Sequence, residues 1–252
     1  NGGSEKTQDS SNYTVSSKVQ DSGPRRRVGL GFRQGFMYNS KNMKSGWKGG
    51  PSNPAGNLFD ASDRNILCMS MLGDSCVLGS ADHGLKEFNI NTCKMNRNLY
   101  SRKYGHSEWV TCVTYTPDGR ILSGGMDSKL CLWSKSGVRC NDLVGHSHSV
   151  SCVVASNDGR YALSGGYDKS IRVWNLSGVG TEAACLMGHS APIMCMEWST
   201  VDCDGQGNGF LLTGSRDGMA VVWDLGVASD ARILSGHRGH ITALEWMSGE
   251  DA

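Results

Sequence analysis

A spacing constrains this chain more than anything else in it. Gly-His pairs stand at Gly105-His106, Gly145-His146, Gly188-His189 and Gly236-His237, with successive histidines 40, 43 and 48 residues apart. After each of the first three comes a hydroxyl residue, Ser123, Ser164 or Thr213, four residues before Asp127, Asp168 or Asp217. Each aspartate in turn stands six residues before Trp133, Trp174 or Trp223. Self-similarity at this period means stacked supersecondary units, none of which buries its apolar face alone. Reading backwards, Asp82 and Phe88 keep the six-residue spacing, but Leu78 holds the hydroxyl position and no Gly-His precedes it. That copy is degenerate.

Each copy predicts four short strands. Residues 110 to 115 alternate, Pro117-Asp118-Gly119 turns the chain, residues 120 to 123 return, 124 to 127 turn again, and 129 to 133 follow. Short β-branched or aromatic runs punctuated by Gly and Asp are hairpin signals. In the last copy the first turn is lengthened by Cys203-Asp204-Gly205-Gln206-Gly207-Asn208, which predicts a loop insertion. The expected units span 65–102, 108–144, 149–187 and 192–234, with a lone fifth strand over 241–246.

These residues carry a family resemblance over about residues 65 to 247. The chain resembles the WD40-repeat proteins, all-β propellers in which each repeat of roughly 40 to 45 residues makes one four-stranded blade. The resemblance implies that His106, Ser123, Asp127 and Trp133, then His146, Ser164, Asp168 and Trp174, then His189, Thr213, Asp217 and Trp223 form hydrogen-bonded networks that fix blade geometry. WD40 propellers commonly close with about seven blades. The resemblance therefore implies that the ring is completed by residues outside this sequence or by a partner chain.

Physical chemistry agrees with a structural network. A buried carboxylate is tolerated where neighbours donate to it, and an imidazole, a hydroxyl and an indole N–H are suitable donors. The rival reading is a nucleophilic hydrolase, since Ser, His and Asp in mutual reach also make a catalytic triad. An active site needs one such constellation, whereas a scaffold needs it in every repeat. The expectation is no enzyme and no cofactor.

The ten cysteines are read the same way. Cys112, Cys152 and Cys195 lie six residues after their histidines, Cys68 matches them in the degenerate copy, and Ala243 is the fifth equivalent. Such a position is a small apolar slot in an inner strand. The other six, Cys76, Cys93, Cys131, Cys140, Cys185 and Cys203, show no metal-ligand spacing, so no metal site is expected. Unpaired thiols suit a reducing compartment, cytoplasmic or nuclear.

Residues 1–60 differ in kind from 61–252 and are expected to be a disordered or extended basic segment rich in Gly and Ser. They carry nine basic and four acidic side chains, which leaves the remainder of this chain of net charge +1 slightly acidic. Arg25, Arg26, Arg27, Arg33 and Trp47 are the candidates for contact with nucleic acid or an acidic partner, by phosphate neutralisation and stacking. A solvated linker is the preferred reading of this arm. No apolar run approaches the ~20 residues of a membrane helix, so no membrane insertion is expected.

Function is therefore sought where the repeats differ. In relatives, the loops before the first strand and between the second and third share one rim, where partners often dock. The matching residues here are Trp109, Met126, His148, Tyr167 and Arg216, of which the aromatics and Arg are the residue types that dominate binding energy. The expectation is a non-catalytic scaffold that binds other proteins or peptides through this rim within a multiprotein complex. The alternatives are a substrate receptor of a ubiquitin ligase, which would want more rim arginines, and an RNA-associated propeller using the basic arm.

Overall fold

The computed structural model describes residues 61–101, 103–199, 209–225 and 231–246. Within them every regular element is a β-strand, and the strands form four sheets of four. Blade 1 comprises β1 (Ile66–Leu72), β2 (Ser75–Ser80), β3 (Leu85–Asn89) and β4 (Lys94–Asn98). Blade 2 comprises β5 (Val110–Tyr115), β6 (Ile121–Gly125), β7 (Lys129–Trp133) and β8 (Cys140–Val144). Blade 3 holds β9 (Val150–Ala155), β10 (Tyr161–Gly166), β11 (Ser170–Asn175) and β12 (Thr181–Met187). Blade 4 holds β13 (Ile193–Trp198), β14 (Phe210–Ser215), β15 (Ala220–Asp224) and β16 (Ala231–Leu234). Each sheet is an antiparallel meander in chain order, as β-propeller blades are.

The blades repeat in fine detail. In each, the residue after the turn aspartate takes a left-handed backbone, at His83, Ser128, Lys169 and Gly218 with φ of 70°, 65°, 68° and 79°. Each inner strand also carries a bulge at its second residue, between Ile66 and Cys68, Val110 and Cys112, Val150 and Cys152, and Ile193 and Cys195. A bulge re-aims the extra residue away from the ladder. Here it turns the Thr111 hydroxyl onto the Val150 carbonyl of the next blade, and the Ser151 hydroxyl onto that of Ile193.

Blades meet along their inner strands, β1 on β5, β5 on β9 and β9 on β13. The contact is a knob in a slot. Cys112 pairs with Gly124, and a Cβ on that glycine would lie 2.7 Å from both the Cys112 sulfur and Val150 Cγ1. Gly79, Gly165 and Gly214 stand in the same relation to Cys68 and Val110, Cys152 and Ile193, and Cys195 and Ile241. The first residue of each inner strand thus enters a space that exists because the preceding blade has hydrogen there instead of a side chain. Val110, Val150 and Ile193 are wholly buried as a result.

Two sequence expectations are corrected by this packing. Gly124 and Gly125 read as turn residues, yet both lie in β6, because Gly124 makes room for a neighbouring blade and does not turn the chain. Residues 241–246 read as a strand, but they form none: among the described residues they have no partner strand to ladder with. Ile241 nonetheless fills its slot at 6% exposure, and its amide donates to Ser215 O at 3.1 Å. The packing of the unit survives without its ladder.

Blade 1 is also tied to blade 2 by buried polar groups. Glu87 accepts from Arg97 and from the Tyr115 hydroxyl (2.8 Å), while Arg97 donates to the carbonyls of Ser134 and Lys135 at 3.0 and 2.9 Å. The basic segment 1–60 lies outside the described residues.

The slot gives a direct expectation. Gly165→Ala places a methyl 2.8 Å from Ile193 Cγ2 and 2.9 Å from the Cys152 sulfur, and overpacking of this kind costs about 1–3 kcal/mol. Urea unfolding should show that loss, whereas Gly178→Ala, with nothing near its added methyl, should lose only the smaller strain of its left-handed backbone.

Candidate functional site

The repeated His, Ser/Thr, Asp and Trp are brought together in blades 2, 3 and 4, as a chain of bonds. In blade 2 the Trp133 indole N–H donates to Ser123 Oγ (2.9 Å), Ser123 Oγ lies 2.8 Å from His106 Nε2, and His106 Nδ1 lies 2.9 Å from Asp127 Oδ1. The corresponding distances are 2.8, 2.7 and 2.8 Å for Trp174, Ser164, His146 and Asp168. For Trp223, Thr213, His189 and Asp217 they are 2.8, 2.8 and 3.1 Å. A carboxylate only accepts, so Nδ1 carries the imidazole proton and Nε2 accepts from the hydroxyl. All four groups are satisfied with the imidazole neutral.

Two details depart from the sequence reading. Indole and hydroxyl do not reach the carboxylate; the strand register sets them one link further along the chain of donors. The aspartate's second contact is instead a backbone amide, from Ser107 (2.9 Å), Ser147 (3.0 Å) or Ser190 (3.0 Å). It staples the loop entering the blade to the turn between the second and third strands. A serine follows each of these histidines, but a main-chain contact leaves little sequence signal. The glycine before each histidine is explained by its neighbour: added Cβ atoms at Gly105, Gly145 and Gly188 would meet the edges of the Trp133, Trp174 and Trp223 rings at 3.2, 3.1 and 2.7 Å.

Distances alone would suit a catalytic triad, but accessibility does not. Ser123, Ser164 and Thr213 are 0% exposed and each already accepts an indole N–H. No carbonyl carbon could approach such an oxygen, so these constellations hold the blades rather than attack a substrate.

Blade 1 replaces the network with an apolar one. Ala61 stands 21 residues before Asp82, as His106 does before Asp127, and it packs with Leu78 and Phe88 in one buried cluster. Histidine, hydroxyl and indole become Ala, Leu and Phe together. Asp82 keeps partners of its own, Ser62 Oγ at 2.9 Å, the Gly84 amide at 3.0 Å and the Ser80 hydroxyl. Counting 21 residues back from Asp82 finds this substitution in the sequence; searching for Gly-His does not.

The rim residues follow a second repeated bond. The amide of the residue before each turn aspartate donates to the carbonyl of the residue just ahead of the inner strand: Ala81 to Asn65 (2.9 Å), Met126 to Trp109 (2.9 Å), Tyr167 to Ser149 (2.9 Å) and Arg216 to Pro192 (3.0 Å). The non-repeating side chains therefore stand at one edge of successive blades. Trp109, Met126 and Tyr167 are 46%, 45% and 38% exposed, large values for apolar side chains of this size. His148 is also exposed, beside the Ser147 hydroxyl at 3.1 Å. Arg216 is engaged with Tyr167: its guanidinium lies 4.9 Å from the ring centroid and donates to the phenol oxygen at 2.8 Å. Trp109 borders a cleft of about 660 Å³ shared with Asp63, Arg64, Asp82 and His83 of blade 1. Arg172, in mid-strand of β11, is held by Glu182 of β12 at 2.7 Å. Arg25, Arg26, Arg27, Arg33 and Trp47 lie outside the described residues.

Six of the cysteines fall into two sets. Cys68, Cys112, Cys152 and Cys195 line the inter-blade slots, and burial pushes all four thiols up, Cys112 to about 12 and Cys195 to about 11. Cys131 and Cys140 lack metal-ligand spacing in the sequence, yet β7 and β8 bring their sulfurs within 4.8 Å of each other and of an Asp142 oxygen. The strand register makes that meeting.

Comparison with known proteins places the chain. A family described as WD domain, G-beta repeat matches residues 97–134, 137–175 and 180–224, each match taking in the outer strand of one blade, in whole or part, and the first three strands of the next. The chain belongs to the WD40-repeat family. This WD40 chain is 27% identical over 184 residues to telomerase protein component 1 of Rattus norvegicus, covering 71% of the chain and 7% of that protein. It is 26% identical over 214 residues to an uncharacterized WD repeat-containing protein of Schizosaccharomyces pombe, covering 68% of the chain and 57% of that protein. Small ribosomal subunit protein RACK1 of the same yeast is 42% identical over 80 residues, covering 29% of the chain and 26% of that protein. The chain thus spans less than two thirds of the length of these relatives. Among the described residues no helix is long and apolar enough to cross a membrane.

The network makes three predictions. Ser164→Ala strands the Trp174 N–H and His146 Nε2, costing about 1–3 kcal/mol in urea unfolding. Copying blade 1 by His146→Ala with Ser164→Leu and Trp174→Phe should cost less than the three single changes added together, since the polar groups leave as a set.

The third concerns pH. Burial holds His146 below the ordinary histidine value of about 6.5, despite Asp168 beside it. Burial would raise Asp127, Asp168 and Asp217, but the histidines and backbone amides that donate to them outweigh it and leave all three low. In both cases the unfolded chain takes up protons first, so stability is complete above about pH 6.5 and declines as pH falls, first through His146 and then, below about pH 4, through the aspartates. Glu197, raised by burial, opposes this trend singly. Thermal melts from pH 7.5 to 3 should show the fall in Tm; a flat profile down to pH 5 contradicts the His146 assignment.

Proposed function

We propose that this chain is a non-catalytic protein-interaction module whose docking surface is the rim formed by Trp109, Met126, Tyr167 and Arg216, with His148 at its margin. The observation that carries the reading is the repeated amide-to-carbonyl bond, which sets these non-repeating side chains side by side on a scaffold whose other positions recur. Exposed aromatics that cluster on one surface favour a partner site over chance exposure. The bond from Arg216 to Tyr167 holds both in place before any partner arrives, which lowers the ordering cost of binding.

The partner class is a protein or peptide, and the setting a multiprotein complex. Two relatives bear the names of a small ribosomal subunit protein and a telomerase protein component, parts of larger assemblies, which supports that setting. Free cysteines among the described residues support a reducing compartment, cytoplasmic or nuclear. A ubiquitin-ligase receptor for anionic peptides has less support, because Arg216 is already engaged and Arg172 is committed to Glu182.

The test is affinity purification with mass spectrometry, wild type against the triple replacement of Trp109, Tyr167 and Arg216 by alanine. The expected result is loss of specific co-purifying proteins at an essentially unchanged melting temperature, since exposed substitutions usually cost within about 0.5 kcal/mol. Retention of every partner by the folded variant would move the docking site elsewhere.

A further inference from the structure

We propose that Cys131, Cys140 and Asp142 form a binding site for a Zn2+-class divalent ion at the β7–β8 hairpin of blade 2. The site is independent of the rim and of the docking function read from it.

The argument begins with distances. The Cys131 and Cys140 sulfurs lie 3.6 and 3.7 Å from Asp142 Oδ1, and all three atoms fall within 4.8 Å of one another. Zinc takes thiolate sulfur at about 2.3 Å and carboxylate oxygen at about 2.0–2.2 Å, so a tetrahedral ion separates sulfur from oxygen by about 3.5 Å and sulfur from sulfur by about 3.8 Å. The atoms already stand near those separations. Three protein ligands leave a fourth position, which a water fills.

The same register argues against the simplest competitor, a disulfide. Cys131 pairs with Asp142 and Cys140 pairs with Trp133, so the two cysteines are diagonal neighbours on one face. Diagonal pairs in an antiparallel ladder stand about 7–8 Å apart, beyond the about 4.4–6.8 Å between Cα atoms that a disulfide takes. An ion between the sulfurs spans what a bond would not.

Outer contacts fit as well. Lys129 Nζ holds the other oxygen, Asp142 Oδ2, at 2.7 Å, which orients Oδ1 towards the sulfurs. Two thiolates and a carboxylate carry one negative charge more than a divalent ion neutralises, and Lys129 supplies the balance. Both cysteines bind as thiolates, so ion binding displaces their two protons to solvent, and no redox change is involved. Cys131 is wholly buried while Asp142 is exposed, so an ion can enter from the Asp142 side. The choice of a borderline-soft ion such as Zn2+ follows from two sulfurs and one oxygen.

Co2+ is the probe, added to the full chain after chelator and reductant treatment. The expected result is one equivalent bound with a near-ultraviolet thiolate-to-cobalt charge-transfer band, bleached by Zn2+. Cys140→Ser and Asp142→Asn should each weaken binding at least about tenfold, with thermal melts confirming that both variants fold. Three outcomes overturn the site: no band in the wild type, a band of unchanged affinity in both variants, or a Cys131–Cys140 disulfide in peptide mass spectrometry of the non-reduced protein.

Discussion

The fold rests on a missing atom. At Gly79, Gly124, Gly165 and Gly214 the absence of Cβ lets the leading Val or Ile of the next unit sit against the backbone, with a cysteine of the same blade as the other wall. Close packing of this kind is sensitive to one methyl group, so the glycines set how near successive blades approach. The slot is filled even by Ile241, which belongs to no strand. Packing between units, and not ladder formation within them, is the more persistent feature of the repeat.

Against that frame the hydrogen-bonded network is one of two ways to fill the same space. In blades 2 to 4 a chain of donors runs from indole to hydroxyl to imidazole to carboxylate, with every polar atom satisfied. In blade 1 Ala61, Leu78 and Phe88 fill the space with apolar surface, and Asp82 is left to local hydroxyl and amide donors. Partial replacement would leave buried polar groups without partners, which costs more than either complete solution. The two versions share the aspartate because its task, stapling the incoming chain to a turn, does not depend on the buried members.

The surface divides into positions that the repeat must fix and positions it leaves free. The left-handed residue after the turn aspartate and the amide-to-carbonyl bond before it hold the backbone of each rim loop in one shape. Side chains on that backbone differ from blade to blade, and there the chain carries Trp109, Met126, Tyr167 and Arg216. Variation confined to a rigid, shared edge is how one scaffold acquires a particular partner. The β7–β8 hairpin shows the same freedom on a different face, where Cys131, Cys140 and Asp142 have no counterpart set in the other blades among the described residues.

The sequence by itself determined the periodicity, the four-stranded units and the identity of the network residues, because these depend on spacing along the chain and on local turn chemistry. It also marked Leu78 and Phe88 as a departure, though not Ala61 as their companion. Only the tertiary structure decided the rest. Gly124 reads locally as a turn residue and serves instead as a slot, since its reason lies in Val150 of another blade. The order of donors, in which the indole meets the hydroxyl and not the carboxylate, follows from strand register. Residues 241–246 alternate like a strand yet form none, because a strand is defined by its partner. Cys131 and Cys140 are unremarkable nine residues apart in sequence and meet when a hairpin folds. What a residue is next to along the chain is written in the sequence; what it is next to across the sheet is set by register and packing, which three-dimensional closure alone supplies.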